Sequence, residues 1–142
     1  MVNIITGPKG SGKTQHMIAL ANEKVNNCIG NVVLIKKSLK GTSKADFKLR
    51  VICMEEYKDI LTLEEFVGFI YGMLAGNHDI STVFIDGILK QANINLDSLP
   101  DFLQKIQKIS ENSNIDFVLS VSAKEDNMPK IDTNKYTVLA HA

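Results

Sequence analysis

The chain has 142 residues, 44% of them hydrophobic, and its sixteen basic side chains balance sixteen acidic ones. This length predicts one domain, residues 1–142, with room for a buried core but not for a second catalytic module. Zero net charge excludes a strong overall attraction to nucleic acid, and no apolar run reaches the roughly 18 residues that would span a membrane.

The first predicted strand, Val2 to Thr6, leads into the segment GPKGSGKT, which fits the pattern G-x-x-x-x-G-K-S/T. A helical pattern, Lys13 to Asn27, follows at once. Glycines permit the tight turns that point several backbone N–H groups at phosphate oxygens. The pattern therefore predicts a phosphate-binding loop. Its residues are Gly7, Pro8, Lys9, Gly10, Ser11, Gly12, Lys13, Thr14 and Gln15.

Two members of this loop have individual predicted roles. Lys13 is expected to bridge the β- and γ-phosphates of a nucleoside triphosphate and so to take part in catalysis. Thr14 is expected to bind Mg²⁺ through its hydroxyl oxygen, and the following helix presents its N-terminus to the anion.

The next two predicted strands are Asn31 to Lys36 and Lys48 to Met54. The connection Lys37 to Phe47 lacks the helical pattern that a parallel crossover needs, so it contains a single helical turn or one flanking strand is antiparallel. Basic residues are concentrated between Lys36 and Arg50. They indicate either a solvated loop or a surface for a phosphate-rich partner such as nucleic acid.

Glu55 and Glu56 follow the third strand and are candidates to orient the attacking water for hydrolysis. The alternative is a solvated strand end. Further along, Thr62 and Glu65 form a T-x-x-E capping box that starts a second helix ending at Gly76. A third helix is predicted from about Ser98 to Asn112, with Pro100 in its first turn.

The fourth strand, Thr82 to Asp86, ends in a carboxylate and resembles the Walker B pattern, which predicts that Asp86 holds Mg²⁺ together with Thr14. The alternative is an aspartate that caps the next turn. Gly87 follows where many ATPases have a glutamate that orients water. This glycine removes the simplest assignment of a catalytic base.

Two further strands, Asp116 to Ser122 and Tyr136 to Ala140, complete the pattern. Ser120 or Ser122 is a candidate to contact the γ-phosphate, and Lys124 is a weaker one, although buried serines often bond to backbone instead. Short apolar strands alternating with helices predict an α/β fold: a three-layer core with a mostly parallel sheet of five or six strands flanked by helices.

Cys28 and Cys53 have neither disulfide nor zinc spacing, which predicts that both are reduced thiols. No export signal is visible, and the two observations together favour a cytoplasmic protein.

On the phosphate loop and Asp86, the chain resembles the P-loop nucleoside triphosphatases over its whole length. It is most similar to the RecA-like and type II thymidine-kinase-like branch, in which a loop of this type is followed by a strand ending in lysine, as in VVLIKK. It also looks like small stand-alone ATP-binding proteins of anaerobic Gram-positive bacteria. Unlike type II thymidine kinases, this chain has two cysteines instead of a four-cysteine zinc element, and Gly87 replaces the expected carboxylate.

The resemblance implies a protein that binds ATP and Mg²⁺ and hydrolyses ATP slowly or when a partner stimulates it. Arg50 is the single arginine of the chain, so an arginine finger would come from a protein partner or a second copy. One alternative is a small-molecule or nucleoside kinase with the polar stretch Lys124 to Lys135 as a lid. Another is a nucleotide-dependent switch without significant catalysis.

Overall fold

A computed structural model describes residues 1–27, 29–132 and 134–140. Six strands of the described residues form one sheet. They are β1 (Val2–Gly7), β2 (Asn31–Lys36), β3 (Arg50–Cys53), β4 (Ile80–Ile85), β5 (Asp116–Ser122) and β6 (Tyr136–Ala140). Cys28, one of the two predicted reduced thiols, lies outside the described residues. Cys53, the other, is a buried free cysteine.

The strands pair in the order β3-β2-β4-β5-β1-β6, and every pairing is parallel. The sheet is thus the α/β arrangement that the alternating pattern predicts. An antiparallel strand beside the segment 37–49 was a wrong alternative, since β2 and β3 are parallel. A helical turn in that segment was also wrong: residues 37–49 form only turns and bends, and they carry the chain back across the sheet without a helix.

Helices cover both faces of the sheet. They are α1 (Lys13–Asn27), α2 (Leu63–Gly76), the short α3 (Ile88–Gln91) and α4 (Leu99–Ser113). Met17, Ile18 and Ala21 of α1 pack with one set of strand side chains, whereas α2, α3 and α4 pack with the alternate set. This two-sided packing gives three layers, because successive side chains of a strand point to opposite faces.

The start of α2 follows the predicted capping box. Thr62 Oγ1 accepts a hydrogen bond from the backbone N–H of Glu65 at 3.1 Å, and Glu65 Oε1 accepts one from the Thr62 N–H at 2.9 Å. Hydrogen bonds from the backbone N–H groups of Leu61 and Thr62 lower the pKa of Glu65, which is exposed. The first turn of α2 is therefore fixed by local sequence.

Within the described residues, no helix is long and apolar enough to cross a membrane.

Candidate functional site

The glycine-rich loop joins the carboxyl end of β1 to the first turn of α1. Gly10 and Gly12 have φ angles of +82° and +91°, in the left-handed region that favours glycine. Gly7 instead continues β1, is buried and is not among the glycines with a positive φ. A hydrogen bond of 3.2 Å from the Ser11 N–H to the Pro8 carbonyl closes the loop.

Lys13 lies beneath this loop and is almost completely buried. Its ammonium donates hydrogen bonds of 2.8 Å to the carbonyl oxygens of Gly7 and Pro8. Burial lowers the pKa of Lys13, and the nearby charge of Asp86 partly opposes this effect. The Lys13 ammonium therefore lies at the centre of the loop, where its charge favours an anionic ligand.

Asp86 follows β4, between β2 and β5 in the sheet, and its carboxylate accepts hydrogen bonds from three side chains. Thr14 Oγ1 donates to Oδ2 at 3.0 Å, and Ser120 Oγ donates to Oδ1 at 2.8 Å. The Lys36 ammonium lies 3.4 Å from Oδ2 in an ion pair whose two side chains are only 7% and 15% exposed. Four elements (α1, β2, β4 and β5) therefore converge on one carboxylate.

Gly87 has a φ of +71°, again in the left-handed region. Its N–H donates to Ser120 Oγ at 2.7 Å, and it starts the short helix α3. A Cβ at this position would meet open space, so the backbone conformation and not crowding favours glycine here. A glutamate would be strained at this point of the turn.

An open cleft of about 510 Å³ lies above these groups, within the range of about 300–1,000 Å³ that small-molecule sites occupy. Two of its lining side chains are carboxylates, Glu55 and Asp86. Five are lysines: Lys9, Lys13, Lys36, Lys37 and Lys90. The excess of positive charge favours an anionic ligand.

Most of the predicted loop residues lie at this cleft. Lys9, Gly10, Gly12, Lys13, Thr14 and Gln15 line it, while the Ser11 hydroxyl is buried and has no hydrogen-bond partner among the described residues. Gln15 Nε2 also donates to the Gly41 carbonyl at 3.1 Å and so joins α1 to the segment 37–49.

The two candidate glutamates differ in position. Glu55 lines the cleft, and its backbone N–H donates to the Lys37 carbonyl at 3.0 Å. Glu56 is exposed and is not among the residues that line the cleft.

The two serines of β5 also differ. Ser122 lines the cleft, whereas Ser120 is fully buried and bonded to Asp86 and Gly87. Lys124, the weaker candidate for contact with the γ-phosphate, is exposed and is not among the residues that line the cleft.

The oxygen atoms of Thr14 and Asp86 are of the kind that Mg²⁺ prefers. No three His, Cys, Asp or Glu side chains of the described ranges converge into a metal site. A Mg²⁺ ion bound here would therefore take its remaining ligands from water and from phosphate oxygens, as this ion commonly does.

Sequence reasoning did not place Lys36 or Lys90 at the site. Lys36 was counted within a basic run, and its contact with Asp86 depends on β2 and β4 being neighbours in the sheet. Lys90 lies in α3, which has four residues and is therefore too short to show a helical pattern of apolar residues. The feature of the sequence that could have indicated Lys36 is an apolar strand that ends in lysine.

No protein-family model matches this chain, and a search of curated proteins finds no similar one.

Proposed function

We propose that this protein binds a nucleoside triphosphate together with Mg²⁺, with ATP as the nucleotide, and hydrolyses it slowly or when a partner stimulates it. The proposal rests on one observation: Lys13, Thr14 and Asp86 meet beneath a glycine-rich loop at a lysine-lined cleft. The P-loop resemblance of the sequence supports the same function. The cytoplasm is its proposed setting.

In this proposal the backbone N–H groups of the loop and the Lys13 ammonium bind the phosphates. Lys13 exchanges its bonds with the Gly7 and Pro8 carbonyls for bonds to phosphate oxygens, which are stronger because both partners are charged. Thr14 and Asp86 would hold Mg²⁺, which when bound neutralises charge on the phosphates. Glu55, which lines the cleft, would orient a water molecule there.

The proposal is tested by titrating a fluorescent ATP analogue into the protein with Mg²⁺ present. Lys13→Ala is expected to weaken binding by at least about tenfold, because a hydrogen bond to a charged group contributes roughly 1.5–3 kcal/mol. Lys24→Ala is the matched control, since Lys24 lies near the other end of α1 with a half-exposed ion pair to Asp116. Equal binding by wild type and Lys13→Ala would refute the phosphate-loop assignment.

A second candidate function is a nucleotide-dependent switch that acts through the segment 37–49. The hydrogen bond from Gln15 to Gly41 supports it, because Gln15 directly follows the proposed Mg²⁺ ligand Thr14. In this version nucleotide binding changes how the basic segment meets a phosphate-rich partner, a nucleic acid. A kinase has no comparable observation in its favour.

A further inference from the structure

Lys36 is a buried cation that the glycine-rich motif does not require. It ends β2, and its exposed fraction is 5%. Its ammonium pairs with Asp86 Oδ2, the oxygen that also accepts the Thr14 hydroxyl. Lys36 therefore already contacts the carboxylate to which the proposed function assigns Mg²⁺.

The charge balance around Asp86 gives this contact its significance. Among the described residues, three side chains donate to the carboxylate: two are neutral hydroxyls and the third, Lys36, is charged. The charge of Lys13 also interacts with Asp86, but the hydrogen bonds of Lys13 go to the carbonyls of Gly7 and Pro8. Without Lys36, a mostly buried carboxylate would face incoming phosphates with no charged group hydrogen-bonded to it from the described residues, which is unfavourable.

We propose that Lys36 is a positioning residue, a resident counter-cation that neutralises Asp86 when no metal is bound and so lets nucleotide phosphates bind without Mg²⁺. This inference rests on the proposed function. Mg²⁺ and Lys36 then compete for the same carboxylate oxygen. It follows that Mg²⁺ improves nucleotide affinity only modestly in the natural chain, because it must first displace Lys36 from Asp86 Oδ2. Once Lys36 is removed, Mg²⁺ meets no such competitor and improves the affinity strongly.

The test measures the dissociation constant of a fluorescent ADP analogue in EDTA and in Mg²⁺. The constant in EDTA is divided by the constant in Mg²⁺, and this ratio is compared between variants. Lys36→Met is expected to raise this ratio at least about tenfold above that of wild type, mainly through weaker binding in EDTA. Lys37→Met is the matched control: Lys37 is the next residue, lines the same cleft and is exposed. Because Lys37 lines the cleft but is not the lysine paired with Asp86, any affinity that this variant loses should be lost equally in EDTA and in Mg²⁺, and the ratio should keep its wild-type value.

A double variant separates neutralisation of Asp86 from direct phosphate contact. Lys36→Met combined with Asp86→Asn leaves no carboxylate to neutralise, so the ratio should fall back to the wild-type value or below. If Lys36→Met does not fold, Lys36→Gln carries the same test, since it keeps a polar group and removes the charge.

Thermal unfolding without nucleotide, in EDTA and in Mg²⁺, provides a second readout. Mg²⁺ should raise the melting temperature of the Lys36 variant more than that of wild type.

An equal ratio in wild type and the Lys36 variant would overturn the inference. If that equal ratio comes with an equal loss of affinity in EDTA and in Mg²⁺, Lys36 is a simple phosphate ligand. The proposed function fails separately, if wild type binds no nucleotide even with Mg²⁺.

Discussion

Glu55 and Glu56 are neighbours in the chain but have different surroundings. The cleft wall includes Glu55, and a backbone hydrogen bond of 3.0 Å to Lys37 fixes its position at the end of β3. Glu56 is exposed outside the set of residues that line the cleft. A general base must lie within reach of the water it activates, and of the two glutamates Glu55 is the one that lines the cleft.

We therefore predict that Glu55→Gln lowers the rate of ATP hydrolysis by about 10²-fold or more, the usual contribution of a general base. The rate is measured as phosphate release in a single turnover, with nucleotide affinity determined in parallel. Glu56→Gln is the matched control and should hydrolyse ATP at the wild-type rate. The assignment of Glu55 is wrong if both variants retain that rate, or if both lose it equally.

Local patterns in the sequence predicted the residues of the glycine-rich loop and Asp86 as a site, because a phosphate loop is one continuous segment and Asp86 directly follows an apolar strand. Lys36 could not be predicted in the same way. Its role depends on which strands are adjacent, and the order β2-β4-β5 is a property of the sheet. The fully buried position of Ser120 under Asp86 has the same origin.

Among the structural elements, the segment 37–49 is unusual because it joins two parallel strands without a helix and is nevertheless anchored to α1. Asn22 donates to the Lys44 carbonyl at 2.8 Å and accepts from the Asp46 N–H at 2.7 Å, while Gln15 bonds to Gly41. Phe47 is 92% exposed. Lys40, Lys44 and Lys48 of the same segment are also exposed, and the Lys48 ammonium lies 6.0 Å from the centre of the Phe47 ring. Exposed aromatic and basic side chains together are typical of surfaces that bind single-stranded nucleic acid.

For this segment we predict that Phe47→Ala weakens binding of a labelled single-stranded oligonucleotide by about tenfold, since stacking of a base on an aromatic ring contributes roughly 1–3 kcal/mol. Fluorescence anisotropy at fixed salt measures the binding. Tyr71→Ala is the matched control, because Tyr71 is an aromatic side chain 52% exposed on α2. Gln15→Ala should remove any effect of ATP on the affinity. Absence of binding by wild type, with and without ATP, would refute the nucleic-acid partner.

The elements differ in how far local sequence determines them. The bounds of β2, β5, β6 and α1 agree with the prediction, and α2 starts at its capping box, because apolar runs and cap residues act within a few positions. The segment 37–49 was mispredicted because its path depends on distant anchors on α1. Such contacts leave no periodic pattern in the sequence.

At the scale of the whole molecule, the parallel sheet separates Arg50 from the proposed nucleotide site. Residues at the carboxyl ends of β1 to β5 line the cleft, Glu55 after β3 among them, whereas Arg50 is the first residue of β3 and lies at the opposite end of that strand. It pairs with Val33, three positions before Lys36 along β2, which is about 10 Å at the rise of a strand. The single arginine of the chain is therefore remote from the cleft of its own molecule.

This separation predicts that Arg50→Ala does not change the rate of ATP hydrolysis in dilute protein. An arginine at the γ-phosphate contributes about 10³–10⁵ in rate, so a chain without one is expected to be slow. Phosphate release is measured over a series of protein concentrations for wild type and Arg50→Ala. If the rate per chain rises with protein concentration in wild type but not in Arg50→Ala, a second copy of the chain donates the arginine. If the rate per chain does not depend on concentration in either protein, the arginine comes from a different partner protein. A large loss of rate in dilute Arg50→Ala would contradict the placement of Arg50 away from the cleft.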